Sequence, residues 1–497
     1  MTLWGLGLAL VINGFLVGAS YAQQSVSSSL EREGHVHLAS LPVLSPHTGD
    51  GSNPPCNGSL RPQYHPPFIR WTEDWSFLRC KQLRSDRWDR LKYVPLGHNE
   101  SRYLSIGAEA RGIYEAYQNQ YWGDGPQDNN GWLLQNYLLH ADVHFDSRVR
   151  LFGELQSTLA NGRTGGPRPY DEDKLDLHQA FVDYGLPTRY RSTLRIGRQE
   201  LQYDSGRLVD ARFGLNTRLS YDGFKTITQV GKTNVEAFAV RPTLQRTGIF
   251  DDTPNSKEIF WGLYATRPLT PSLTLDLYYL GFDTKAWTFS SGTGHFQPHT
   301  LGTRFSGRLG AFDFNNEANI QVGTFGEREV RAWSVSLLHG YTFENTKASP
   351  RVSLRADVTS GDRGLRGHAL GSFFPLFASG KYFEEADLNG PVNTIDVIPS
   401  VDLHASRTWT VTPIYGVFWR ESIRDGLYGY AGNLYKTGDM SSARLIGQNF
   451  EIDVTHVIAP HTILRGVYQH FAAGSFLLET PPGKDVNYGT VWVVYHF

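Results

Sequence analysis

Only one stretch of the 497 residues is long and apolar, and it lies at the very start, from Leu3 to Ala19. A helix that crosses a bilayer needs roughly 20 predominantly apolar residues. Nothing after that stretch can therefore span a membrane as a helix, and a closed barrel of strands is the one membrane architecture left for the remainder. Cysteine is almost absent: Cys56 and Cys80 are the two, and they form no Cys-x-x-Cys pattern of the metal or redox kind. Charge of one sign is lacking too. With 47 Lys and Arg against 49 Asp and Glu the formal charge is −2, which excludes bulk binding of nucleic acid, because that needs a basic excess. The chain has no Gly-x-Ser-x-Gly, His-Glu-x-x-His or Gly-x-x-x-x-Gly-Lys motif, so no cofactor and no metal is expected. A catalytic triad is defined by geometry and escapes such a scan. A hydrolase acting on lipid or polysaccharide thus stays as an alternative built from scattered Ser and His.

The apolar start is followed by Ser20-Tyr21-Ala22, which places small residues where a signal peptidase reads. Residues 1–22 are expected to be a signal peptide; no Lys or Arg precedes the run, and an uncleaved anchor is the other reading. Export suits the cysteines. In an oxidising periplasm a Cys56–Cys80 bridge would stabilise by roughly 3 kcal/mol on chain-entropy grounds, whereas two free thiols remain open because spacing does not show that their Cα atoms approach. Residues 23–100 form an N-terminal periplasmic leader. Up to about 66 it is rich in Ser, Pro, Gly and His and expected to be disordered, but Trp71, Trp75, Phe77, Leu78, Trp88, Leu91 and Tyr93 can pack on something. That something is either the mouth of a barrel, which the segment would plug, or merely itself.

From Tyr103 the pattern changes to a period of two, as a sheet between lipid and water requires. Leu104, Ile106, Ala108, Ala110 and Tyr114 fall on one face, Ser105, Glu109, Arg111 and Glu115 on the other. The pattern recurs at Leu273 to Tyr279, at Phe312 to Val322 with Phe314 on the apolar parity, and at Arg351 to Val358. Between such segments short and long connections alternate. The short ones fall near 146–147, 186–191, 231–232, 268–271, 310, 345–350, 405–407 and 459–461; the long ones near 118–131, 157–175, 201–222, 241–258, 281–298, 323–328, 360–392, 421–443 and 472–487. Eight short and nine long connections imply about eighteen strands, an even number with both ends periplasmic, over residues 101–497. The expected fold is an all-β transmembrane antiparallel barrel in the outer membrane of a Gram-negative bacterium, and eighteen strands by themselves leave an aqueous lumen. The chain ends on alternating Val491, Val493, Tyr495 and Phe497, with Trp492 opposite. Tyr495 and Phe497 are expected to be the signal read by the outer-membrane assembly machinery.

On the lumenal parity stand Arg111, Arg195, Arg304, Arg308, Arg355 and Arg465, interspersed with Glu109, Glu154, Asp276, Asp313 and Asp357. Basic rings favour anions; compensating ion pairs on a solvated wall are the alternative for each residue. His140 and His144 share a strand face, yet a metal site needs three or four ligands, so both are expected to be polar lumen residues.

Several segments are similar to one known family. Glu73-Asp74-Trp75-Ser76, Leu91 to Leu96 and Tyr103 to Arg111 resemble the opening of alginate-export-type porins. Ala180-Phe181-Val182-Asp183-Tyr184, Leu194 to Leu201, Asp204-Ser205-Gly206 and Gly447 to Asp453 extend the resemblance from about residue 70 to the C-terminus. It implies a single eighteen-stranded barrel and, in the alginate-conducting members, a strongly basic constriction. By this resemblance Arg111 and Asp210 fall on pore positions and Arg465 on a corresponding lumenal face, while other positions that are Arg there are His140, Gln179 and Glu200 here. The apolar content of the 361–392 loop, Phe373 to Phe377 and then Lys381-Tyr382-Phe383, suits a loop folded inward, with Lys381 as a solute contact, or one packed outward on its neighbours. The expectation is a channel for diffusion or export of a polar, anionic solute such as an acidic saccharide or an alginate-like polymer. General small-molecule uptake and a structural or adhesion barrel are its rivals. Outer-membrane lipid, assembly machinery and periplasmic export proteins are the expected partners.

Overall fold

In the computed structural model, Cys56 and residues 69–497 are described, apart from Asn99, Asn129, Ser147, Asp204, Ser205, Leu365 and Arg366. The expected signal peptide, most of the expected leader and part of the Asp204-Ser205-Gly206 match lie outside the described residues.

Alternation of period two gives a strand one face for lipid and one for the lumen, and eighteen segments obey it. They are β1 (Tyr103–Gln118), β2 (Trp132–His144), β3 (Val149–Asn161), β4 (Asp173–Leu186), β5 (Arg191–Gln199), β6 (Tyr221–Val230), β7 (Thr233–Leu244), β8 (Glu258–Thr270) and β9 (Leu273–Phe289). The second half comprises β10 (Gly292–Leu309), β11 (Phe312–Phe325), β12 (Arg328–Thr342), β13 (Arg351–Thr359), β14 (Thr394–His404), β15 (Trp409–Arg420), β16 (Leu445–Ala459), β17 (Thr462–Ala473) and β18 (Val486–His496). Each pairs antiparallel with the next, and β18 returns to β1 with Glu109 opposite His496 and Gln118 opposite Asn487. Closure leaves no unpaired edge in lipid. The faces sort as alternation demands: Ile196, Leu277 and Ile320 are 54–56% exposed, whereas their neighbours Arg195 and Asp276 are 1% exposed. Inside an isolated barrel those apolar exposures would be a liability; in a bilayer they are the lipid contact.

Two of the nine long connections are not loops. β9 and β10 run on through 281–298 to a tight turn at Ser290-Ser291, and β11 and β12 meet at Gly326-Glu327. The ladder continues because Thr284 still pairs with Phe296 and Phe289 with Gly292, while the apolar alternation fades where the outward face leaves lipid. Phe314, on the apolar parity, is nevertheless buried, its ring 5.2 Å from that of Phe305. Arg308 sits near a short turn, 56% exposed and paired with Glu344 at 2.6 Å, and so does not face the inner lumen.

Among the described residues, three of the segments that fold into the barrel bear on its lumen. The first precedes β1. Short turns of helix at Arg70–Thr72, Ser76–Arg79, Lys81–Leu83 and Asp89–Lys92 lead to Val94–Pro95, which pairs with Tyr103 and Leu104. Trp71 inserts among wall residues: Phe181 at 6.3 Å, the Arg195 guanidinium at 3.9 Å and the Lys225 amine at 5.0 Å. Glu73 lies buried between Arg70, at 2.6 Å, and Lys92, at 3.3 Å. The segment thus docks into the mouth that carries the chain ends and the short turns, the periplasmic one by the rule for such barrels. Cys56 and Cys80 are joined by a disulfide with Cα atoms 5.5 Å apart, and the Gln82 side chain donates to the Cys56 carbonyl at 2.6 Å. Native protein is therefore expected to resist maleimide labelling, with two sites appearing after reduction in denaturant; two labelled thiols in the native state would overturn the bridge. Cys80→Ser should cost roughly 3 kcal/mol of loop-closure stabilisation, read as easier proteolytic removal of the leader.

Candidate functional site

The other two segments enter from the opposite rim. The connection between β5 and β6, residues 200–220, crosses the lumen. On one side Arg111 of β1 donates to the carbonyls of Phe213 and Leu215, and Arg218 pairs with Glu109 at 2.6 Å. On the other, Arg207 reaches Asn315 at 3.1 Å and Glu317 at 3.3 Å on β11. The connection between β13 and β14, residues 360–393, zips onto it: the main chain of Phe377 donates to Leu208 at 2.9 Å and accepts from Asp210 at 3.0 Å. Its Phe373, Phe374, Leu376 and Phe377 complete an apolar core with Phe238, Phe260, Phe282 and Phe296 from the lumenal faces of β7 to β10. The loop folds inward for an ordinary reason, namely that four large apolar side chains find a wall of the same character. Eighteen strands alone would leave a wide passage; these loops narrow it.

Beyond that core the 360–393 loop becomes charged and meets the opposite wall. Lys381 pairs with Glu385 at 2.7 Å and Glu115 of β1 at 3.4 Å. Arg465 of β17 pairs with the same Glu385 at 2.7 Å and with Asp453 of β16 at 2.9 Å. Burial raises the carboxyl of Glu385, but Arg465 and Lys381 outweigh it and hold the group down to about 2. Burial also works against the charge of Lys381, and Glu385 and Glu115 more than restore it. Three cations then converge on one indole: Lys381 lies 4.7 Å, Arg465 5.0 Å and Arg111 5.3 Å from the ring of Trp492 on β18. A cation over an indole face is stabilised by about 2 kcal/mol when desolvated, so Trp492 lets three like charges share a small volume. The first and last strands of the barrel and the inward loop meet here, and this is the candidate site.

The remaining sequence-derived candidates lie elsewhere and hold structure together. Arg195 forks onto Asp183 at 2.7 and 2.8 Å. Arg304 reaches Asp276 at 2.6 Å, and Arg355 reaches Asp357 at 2.7 Å while donating to the Tyr382 carbonyl of the inward loop. His140 stands 3.8 Å from both Glu73 and Glu154, tying the leader to the wall. Asp210 accepts from the backbone of Arg212, turning the 200–220 loop. His144 faces Asp142 at 3.0 Å and stacks on Tyr103, so it shares no ligand set with His140. Sequence reading missed Glu385, Arg218 and the role of Trp492. The one available signal was that Trp492 is a large residue on the lumenal parity of a strand whose other face is Val491, Val493 and Tyr495. Among the described residues two groups bring three ligand-type side chains within 4.8 Å of one another: Glu154, His178 and Glu200 in the wall, and Asp176, Asp251 and Asp252 at the outer rim.

The family model described as alginate export matches residues 102–491. No curated protein matches the chain. Among solved structures the barrel is similar to the outer-membrane protein OpdK of Pseudomonas aeruginosa, 12% identical over 79% of this chain and 98% of that one, with a TM-score of 0.54; OpdK was also solved with vanillate. OccK5 (OpdH) of the same organism is 14% identical over 79% and 98% of the two chains, TM-score 0.52. OccAB2 of Acinetobacter baumannii is 11% identical with the same coverages, TM-score 0.56. At such identities the likeness is one of fold.

Proposed function

The chain belongs to the alginate export family and is an outer-membrane channel, and from that premise we propose that its solute is a small acidic saccharide, of one or a few sugar units, that crosses by diffusion. The observation that carries this is the meeting of Lys381, Arg465 and Arg111 on Trp492. A carboxylated sugar can take over the hydrogen bonds that Glu385 and Glu115 make to Lys381 and Arg465, while an indole suits the apolar face of a pyranose. The two inward loops and the docked leader favour a small solute over a polymer, because each occupies lumen that a chain of uronates would need. Vanillate, found with the neighbouring fold, is likewise a small carboxylate. Family and fold are of the channel type, and catalysis is no part of this function. Outer-membrane assembly machinery and, where the solute moves outward, periplasmic export proteins are its proposed partners.

Purified channel in planar bilayers tests the reading. Under a KCl gradient at low salt the wild type should prefer anions, and an added uronate should block current reversibly. Replacing Arg111, Lys381 and Arg465 together by Gln should move the reversal potential towards cation preference and abolish the block. The shift should shrink at 1 M salt, where screening acts within about 3 Å instead of about 10 Å at 0.1 M. Unchanged selectivity and block at low salt would show that these cations only pin the loop.

A further inference from the structure

At the outer rim four aspartates crowd together. Leu175, near the outer end of β4, is bridged by the connection between β7 and β8, residues 245–257: its amide donates to Gly248 at 3.4 Å and its carbonyl accepts from Phe250 at 2.9 Å. That docking brings Asp251 and Asp252 against Asp176, with one carboxylate oxygen of each within 4.8 Å of the others. Asp173 stands beside that set, near enough to feel the charge of all three. It is only 2% exposed, and its Oδ1 has no hydrogen-bond partner among the described residues. Asp251 Oδ1 is buried and unpartnered in the same way.

The compensation on hand is small. Asp176 accepts from the amides of Asp252 at 2.9 Å and Leu177 at 2.7 Å, and Asp252 accepts from the amide of Arg246 at 2.7 Å. Among the described residues one guanidinium reaches the cluster: Arg198, 3.3 Å from Asp176 and shared with Asp222 at 3.0 Å. Arg246 turns its guanidinium to the Asp251 carbonyl instead. Four carboxylates against a shared guanidinium leave an excess of negative charge with at least two lone-pair-bearing oxygens unused. A buried carboxylate without a partner costs free energy unless a proton or a cation joins it.

We propose that Asp173, Asp176, Asp251 and Asp252 bind a divalent cation, calcium in preference to magnesium, that fastens the 245–257 loop to β4 at the mouth of the channel. The donors are all hard oxygens, which selects calcium or magnesium over the softer transition metals. Their irregular placement on a strand and a loop suits the six to eight flexible oxygen contacts of calcium better than the strict octahedron of magnesium. The rim faces the medium outside the cell, where such a site can fill without passing the membrane.

The test uses the full mature chain, folded in detergent, stripped with EDTA and titrated by calorimetry with CaCl2 and, separately, MgCl2. Calcium should bind saturably at one site with a dissociation constant on the order of 0.1–1 mM, as in extracellular modules, and magnesium more weakly. Asp251→Asn, whose side chain makes none of the loop's amide bonds named above, should weaken binding at least tenfold while the barrel keeps its heat-modifiable mobility on gels. Asp173→Asn should do the same. No saturable calcium heat in the wild type, or equal heat in both variants, would overturn the site. Tighter binding of magnesium than of calcium would overturn the choice of ion.

Discussion

Phe497→Asp is expected to be missing from the outer-membrane fraction, with the protein recovered as periplasmic aggregate or degraded. The terminal residue closes the barrel: its amide donates to Ala108 at 3.0 Å and its carbonyl accepts from Ala108 at 3.1 Å, across the junction of β18 with β1. Its ring stacks on Trp88 at 4.0 Å and carries the Lys92 amine at 5.7 Å. The face of β18 that meets lipid is Val491 and Val493, each nearly half exposed. An aspartate at 497 thus removes a stacked ring and introduces a carboxylate beside the strand that the assembly machinery is proposed to read. Two companions separate the causes. Phe497→Tyr should insert normally, and Trp88→Ala, which removes the stacking partner but not the terminal residue, should insert while docking its leader poorly. Normal insertion of Phe497→Asp would eliminate the terminal residue as an assembly signal; failure of Trp88→Ala alone would transfer that role to the leader.

The second large effect concerns the inward loop. Arg355→Ala should raise single-channel conductance several-fold and add open-channel noise. Arg355 holds the loop through the Tyr382 carbonyl and neutralises Asp357, itself 1% exposed. Removing one partner of a buried pair typically costs about 3–5 kcal/mol, because the other charge stays uncompensated. Here the loop carrying Tyr382 can move away and let water reach Asp357, so the cost is relieved by undocking. Lys381→Ala frees the other end and should act in the same direction with a smaller amplitude, since Arg465 still grips Glu385. A conductance equal to wild type in Arg355→Ala would mean that the loop stays docked, or that the current does not pass beside it.

Period-two alternation was enough to place the strands, because each residue's facing depends on parity alone. Arg111, Arg195, Arg304, Arg355 and Arg465 all lie on the inner parity, as Ile196 and Leu277 lie on the outer. The same rule failed at 281–298, where Asp283, Lys285, His295 and Gln297 make the outward parity polar although Thr284 and Phe296 still pair. Backbone hydrogen bonds persist beyond the bilayer; the lipid that imposes alternation does not. Some pairings were a register away from being legible: Arg195 is directly opposite Asp183, and Arg304 opposite Asp276. The site itself was not. Arg111, Lys381, Arg465 and Trp492 come from three strands and a loop, and nothing local to any of them encodes that the loop turns inward. What could be read was the apolar run Phe373 to Phe377, which explains the turning but not where Lys381 ends up.

The leader rests on a place that both ends of the chain must build. Arg70 donates to the carbonyl of Phe497 at 2.7 Å across 427 residues of sequence, and Trp88 and Arg87 donate to the Tyr495 hydroxyl. The segment from Arg70 to Trp88 can therefore take its seat only once Tyr495 and Phe497 lie beside β1, because they form part of that seat. Contacts so distant in sequence form late in folding. In a truncated or misregistered chain Trp88 loses Phe497 and the Tyr495 hydroxyl, and the segment it anchors is left open to periplasmic proteases. The docking of this segment thus reports that β18 has closed on β1, and its resistance to a protease added from the periplasmic side is a direct measure of the closed fraction.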